Sequence, residues 1–280
     1  MKNILIPTDF SENSRNAARY ALLLFGTSAC NFYLCNVVEP YVYTGGGMPL
    51  VAFPEDYDTG VRARSEESLK KMALRMKKEL PESNSAFIPL PVHDFFIEAI
   101  RKQVKEKNID LIVMGTKGAS GLREMMVGSN TGDVITKVKC PVLVVPEDAA
   151  FHFPGQIVFP TDYSISYSPR VLDTLFFLAD KFSAAVRVLH IVKNEHEILG
   201  EAQKINKNQL KNYLRGREHS FHRMNRNNLG EAIEEFTDIA DIDWIAMMAK
   251  KLNFFQQALF RPAVARISYH TRIPFLVLHE

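Results

Sequence analysis

Short, nearly unbroken apolar runs recur along the chain, with amphipathic stretches between them. In the first half the runs cover residues 4–6, 32–38, 86–90, 111–114 and 142–145. Such runs are expected of strands buried on both faces of a sheet. The intervening stretches have helical spacing. A helix over about 13–25 is entered through the capping candidates Ser11 to Ser14 and closed by Gly26. A long helix over about 58–80 carries Leu69, Met72, Met76 and Leu80 on one face, and that stripe reads as core. Further helices are predicted over 95–107 and 131–137. The glycines at 45–47 read as a loop after the second strand. Regular alternation of strand and helix predicts a parallel, doubly wound five-stranded sheet with right-handed crossovers.

The pattern then repeats. Asn3-Ile-Leu-Ile-Pro-Thr-Asp-Phe-Ser11 returns as Gln156-Ile-Val-Phe-Pro-Thr-Asp-Tyr-Ser164. Asp110-Leu-Ile-Val-Met114 returns as Asp243-Trp-Ile-Ala-Met247, and Pro141-Val-Leu-Val-Val as Pro274-Phe-Leu-Val-Leu at the same offset. Glu98-Ala-Ile pairs with Glu231-Ala-Ile between them. Start, middle and end of one unit recur in order, so the chain reads as two tandem domains, residues 1–148 and 154–280, with Pro146, Pro154 and Gly155 marking the joint. Ser168-Pro169 announces a helix in the second unit. His219 and His222 have the spacing of a metal pair on a helix, but they fall where a strand is expected and would point to opposite faces.

Chemistry concentrates after the fourth strand of the first unit, where Gly115-Thr-Lys-Gly118 leads, nine residues later, to Gly128-Ser129-Asn130-Thr131. Glycines at a strand exit let a ligand approach the backbone. Gly128-Ser129 opens a helix whose first amides lack intrahelical partners and carry the positive end of the dipole. Glycine exposes those amides, and Ser129 and Thr131 add hydroxyls, which together describe a phosphate cradle. Asp9 follows the first strand. If the fourth strand lies beside the first, Asp9 and Gly115 flank the crevice where doubly wound sheets bind ligands. A carboxylate there suits a ribose hydroxyl or an adenine amino group. The bland alternatives are a tight turn at 115–129 and a capping role for Asp9.

Gly115-x-x-Gly118, nine residues, then Gly128-Ser129 resembles the ATP-binding motif of universal stress proteins, as do Pro7-Thr8-Asp9 and the terminal Pro141-Val-Leu-Val-Val. The resemblance covers nearly all of the first unit and more weakly the second. It implies an adenine nucleotide alpha hydrolase-like fold. Pro7, Thr8 and Asp9 would contact base and ribose, and Val37 the adenine through its backbone. Met114, Gly115, Lys117 and Gly118 would line the ribose and phosphate side, with Gly128, Ser129, Asn130 and Thr131 on phosphate. It further implies pairing of the two domains as an intramolecular pseudo-dimer, Val142–Val145 against Phe275–Leu278. The implied ligand is ATP or AMP, with or without Mg²⁺, and the implied role is a nucleotide-dependent sensor or adaptor in stress, with a protein partner the sequence does not identify.

In the second repeat Gly115 becomes Met248, Gly118 Lys251, Gly128 Arg261 and Ser129 Pro262. Proline offers no amide hydrogen to an anion, so no nucleotide is expected there. Leu252, Phe254, Phe255, Leu259 and Phe260 are expected to pack where phosphate would sit. Lys250, Lys251, Arg261 and Arg266 are a weaker option for another anion. No Walker A pattern occurs, and no acidic residue follows at the distance a dinucleotide fold requires. With no evident general base beside the cradle, no catalytic residue and no metal site is assigned. The rivals left open are a slow ATPase or autophosphorylating protein, with Ser129 or Thr131 near the γ-phosphate, and a nucleotide-free structural member.

Composition changes little. The 280 residues are 46% hydrophobic and 24% charged with a net charge of +2, which gives no reason to expect nucleic acid or an anionic membrane as partner. Cys30, Cys35 and Cys140 are odd in number and form no C-x-x-C, which fits a reducing cytoplasm. The N-terminal apolar stretch reads as a strand, since it is too short for a leader. A homodimer is an open expectation.

Overall fold

The computed structural model describes residues 2–45, 48–52, 55–116, 129–194, 196–249 and 273–279. They form two compact units, one within residues 2–147 and one within 148–279. In the first, β1 (Lys2–Pro7), α1 (Glu12–Phe25) and β2 (Cys30–Val38) are followed by β3 (Tyr41–Gly45) and β4 (Met48–Ala52). Then come α2 (Glu55–Glu79), β5 (Ala86–His93), α3 (Phe96–Glu106), β6 (Leu111–Gly115), α4 (Ser129–Lys137) and β7 (Val142–Val145). Five strands pair in parallel in the order β7-β6-β1-β2-β5. The segment read as a glycine loop is instead an antiparallel hairpin, Tyr41 opposite Ala52 and Gly45 opposite Met48. Its Tyr-Val-Tyr-Thr and Pro-Leu-Val arms have strand composition. Gly46 and Gly47 lie outside the described residues.

The sheet's middle is fully apolar: Ile4, Leu5, Ile6, Ile112, Val113, Leu143 and Val144 are at most 1% exposed. Leu69, Met72 and Met76 lay the inner stripe of α2 into the same core. The three cysteines are free and buried. Burial pushes the thiols of Cys35 and Cys140 up to about 12, so neither is poised as a nucleophile.

The second unit holds β8 (Gln156–Pro160), α5 (Pro169–Phe182), β9 (Ala185–Val192), α6 (Glu201–Tyr213), β10 (His219–Asn225), α7 (Leu229–Ile239), β11 (Trp244–Met248) and β12 (Phe275–Leu278). Its parallel order, β10-β9-β8-β11-β12, matches the first sheet strand for strand. Ser168 caps α5, accepting from the Val171 amide, with Pro169 in the first turn. His222 packs on Phe236 and bonds Ser220, whereas His219 packs on Phe221 and bonds the Arg217 carbonyl, so the two imidazoles sit on different faces of β10.

The recurring residues have structural work in both units. Asp110 accepts from the amide of Asn3 at 2.8 Å, and Asp243 accepts from those of Gly155 and Gln156 at 2.7 and 2.8 Å. Each carboxylate thereby clamps the start of its unit's first strand to the strand beside it. Two residues earlier, Asn108 and Asp241 end α3 and α7 with φ of 48° and 47°, a left-handed conformation that short polar side chains tolerate. No helix among the described residues is long and apolar enough to cross a membrane.

Candidate functional site

β6 lies directly beside β1, with Ile4 opposite Leu111 and Leu5 opposite Ile112. The chain leaves β1 toward β2 on one side and β6 toward β7 on the other. This is the point where strand order reverses, and its crevice opens beyond Pro7 and Gly115.

Pro-Thr-Asp-Phe-Ser builds a tight turn on the β1 side. The Thr8 amide donates to the Cys35 carbonyl at 2.7 Å. The Thr8 hydroxyl accepts from the Phe10 amide at 3.0 Å and is bonded to the Ser14 hydroxyl at 2.9 Å. Asp9 is exposed at the crest, where its Oδ1 accepts from the Ser11 amide and hydroxyl at 3.0 and 2.6 Å. Ser11 in turn caps α1 through the Ser14 amide. Phe10 is forced to φ 62°, a conformation bulky residues seldom adopt and one found most at functional sites.

On the β6 side, Gly115 is buried against α1. A side chain there would lie 2.3 Å from Asn13 Oδ1 and 3.0 Å from the Asn13 carbonyl. This glycine is therefore required by helix packing, whatever binds above it. The Thr131 hydroxyl is buried and donates to the Gly115 carbonyl at 2.8 Å. It thus anchors α4 to β6 at a residue the resemblance also assigns to phosphate. What α4 turns outward is its N-terminus: Ser129 is the first helical residue and Asn130 is exposed. The first-turn amides have no helical partner and favour an anion. Met114 is buried at 6% exposure, and Val37, near the end of β2, is half-buried opposite Val92. Lys117, Gly118 and Gly128 lie outside the described residues, and so do residues 250–272 of the second repeat with its expected phosphate-site fillers and basic side chains.

Sequence reasoning missed a polar relay between β2 and α2. The Asn36 amide group donates to the Thr8 carbonyl at 2.7 Å, and Ser65 donates to Asn36 Oδ1 at 2.7 Å. An asparagine inside an otherwise apolar strand was the available signal. Asn13 and Ser14, both buried, were likewise passed over as mere cap candidates.

The second unit rebuilds the same turn. Thr161 donates through its amide to Leu189 and accepts from the Tyr163 amide, Asp162 accepts from the Ser164 amide, and Tyr163 has φ 55°. His190 takes the place of Asn36, its Nδ1 2.9 Å from the Thr161 carbonyl. The setting differs. Gln203 and Asn206 of α6 donate to the carbonyls of Asp162 and Tyr163 at 2.7 and 2.8 Å. Tyr163 is 1% exposed, and burial raises its hydroxyl above the ordinary tyrosine range. At the end of β11, Met248 sets a buried side chain where Gly115 has none.

Comparison with known proteins bears on residues 1–146, which match the family model described as the universal stress protein family. Two universal stress proteins of Methanocaldococcus jannaschii resemble the chain. One is 29% identical over 152 residues, covering 51% of this chain and 94% of the relative. The other is 32% identical over 151 residues, covering 51% and 81%. A solved universal stress protein from Archaeoglobus fulgidus shares the fold over 98% of this chain and 97% of its own, with a TM-score of 0.70 and 18% identity.

Proposed function

The chain belongs to the universal stress protein family, and on that premise we propose that its first unit binds an adenine nucleotide, ATP or AMP, and serves as a nucleotide-dependent sensor or adaptor in stress. The observation that carries the reading is the crevice beyond the paired strands β1 and β6: the Asp9 turn follows β1, and Gly115 at the end of β6 is packed by Asn13 of α1 and bonded by Thr131 of α4. Asp9, exposed at the crest, would receive the ribose or the adenine amino group. Val37 would meet the base through its backbone, with Pro7, Thr8 and Met114 beneath.

Phosphates would lie over the amides at the start of α4, with Gly128, Ser129 and Asn130 presenting backbone and Lys117 and Gly118 closing the loop. Thr131 would act by holding α4 against β6. The role of Mg²⁺ would be to neutralise phosphate charge, with Asp9 the carboxylate at the crest. The second unit, residues 154–280 in this reading, would bind no nucleotide. Met248 occupies the position of Gly115, and α6 caps the carbonyls of its turn.

Calorimetric titration of ATP and AMP, with Mg²⁺, into the full chain and Gly128→Arg tests this. The expected result is one site per chain, lost in the variant. Absence of binding at millimolar nucleotide would refute the proposal and leave a structural member that works through protein contacts.

A further inference from the structure

α1 and α2 lie over the first sheet with a groove of about 450 Å³ between them. Its walls are two facing stripes at helical spacing: Glu12, Arg15 and Arg19 on α1, and Lys71, Arg75 and Glu79 on α2. Its apolar lining is the half-buried Phe10 and the edges of Met72 and Met76, which are 8% and 4% exposed. The groove shares Phe10 with the Asp9 turn but includes none of the residues assigned to the nucleotide.

Four cations therefore face one another across a trough that holds two carboxylates. Like charges so placed raise the local potential and favour an anion between them. The pairs they make are weak ones. Lys71 leans on Glu67 in its own helix at 2.7 Å, Arg15 on Glu12, and Arg19 reaches Glu79 across the groove at 3.7 Å. These side chains are about half exposed or more, and such pairs contribute at most about 1 kcal/mol, so a ligand can recruit them. Arg75 makes no ion pair among the described residues. Beside the charges, the Phe10 ring and the exposed edges of two unbranched thioether side chains offer a narrow apolar strip.

We infer that this groove binds a single-chain organic anion, its apolar tail on Phe10, Met72 and Met76 and its carboxylate or phosphate head between the α1 and α2 cations. Size favours this occupant over a protein segment. From Ser68 to Glu79 the groove is about 16 Å long at 1.5 Å per residue, whereas a stable protein interface takes about 800 Å² from each partner. The volume lies within the range of about 300–1,000 Å³ typical of small-molecule sites. The seam in the second unit differs at its head, where Tyr163 is buried beneath the Lys207 ammonium of α6.

The test is calorimetric titration of the full chain with dodecanoate and with dodecyl phosphate, using dodecanol and acetate as controls. One saturable site is expected for one or both anions, with the better head group identifying the source. Neither control should bind measurably. Arg75→Glu should weaken binding at least tenfold, while Lys78→Glu, on the same helix outside the groove, should change it less than twofold. ATP titration of Arg75→Glu separates this site from the crevice, because nucleotide affinity should stay at its parent value. Equal binding of dodecanol, equal loss in Lys78→Glu, or no saturable binding of either anion would overturn the inference. Circular dichroism of both variants confirms that they are folded.

Discussion

Alanine at position 115 would place a methyl group 2.3 Å from Asn13 Oδ1, 2.7 Å from its Cγ and 3.0 Å from its carbonyl oxygen. The first two atoms could move by rotation of the Asn13 side chain. The third is backbone in the first turn of α1 and cannot move unless the helix does. Forcing a methyl into packed surroundings costs about 1–3 kcal/mol. With a urea dependence of about 2 kcal/mol per molar, Gly115→Ala should lower the unfolding midpoint of the first unit by about 1 M. Equilibrium unfolding followed by circular dichroism measures the loss, and hydrogen exchange of the β6 amides locates it. Adding Asn13→Ala removes the two closest clashes and leaves only the carbonyl contact. The double variant should therefore be more stable than the sum of the single changes by about 1 kcal/mol or more. If Gly115→Ala were as stable as the parent, or Asn13→Ala recovered nothing, the packing explanation for this glycine would be wrong.

Asp243→Ala removes the acceptor for two backbone amides and should cost the second unit about 2 kcal/mol. Fluorescence of Trp244, the chain's single tryptophan and fully buried beside this clamp, should report the earlier transition. Thr131→Val keeps the side-chain volume but leaves the Gly115 carbonyl without its hydroxyl donor, an expected loss of about 1–2 kcal/mol by urea unfolding. If the nucleotide reading holds, ATP affinity should fall less than threefold in that variant, since the amides of α4 would remain. The thiols of Cys35 and Cys140 are held near 12, above their ordinary value of 9.0. The unfolded chain therefore gives up these protons first. Their contribution is whole below pH 9 and is lost as pH rises toward 12, at about 1.4 kcal/mol per pH unit for each thiol. Urea midpoints between pH 8 and 11 should fall steeply in the parent and less steeply after Cys35→Ala with Cys140→Ala.

Much of the fold was legible because buried parallel strands leave unbroken apolar runs, and Val142–Val145 was placed to the residue. The repeat was legible because Asp110 and Asp243, like Thr8 and Thr161, make the same bonds in each unit. The hairpin Tyr41–Ala52 was not, because its glycines outweighed the strand composition of its arms. Of the site, the Asp9 turn and the helix start at Ser129 could be read as motifs. The packing of Gly115 against Asn13 and the bond from Thr131 to the Gly115 carbonyl could not. A glycine needed by a neighbouring helix looks the same in sequence as one needed by a ligand. Likewise, a hydroxyl bonded to a strand end looks the same as one offered to phosphate. Asn36 and Ser65 escaped for a related reason: their partnership joins positions 29 residues apart.

Phe10 and Tyr163 hold nearly the same unusual torsion, 62° and 55°, although one ring lines an open groove and the other is sealed inside its unit. The surroundings of the two aromatics differ while the backbone beneath them does not. A duplicated ancestor would leave this kind of trace, since a local frame fixed by its own hydrogen bonds is inherited as geometry after the selective reasons for its neighbours have changed. A torsion held by the turn's own hydrogen bonds is thus indifferent to what its side chain packs against.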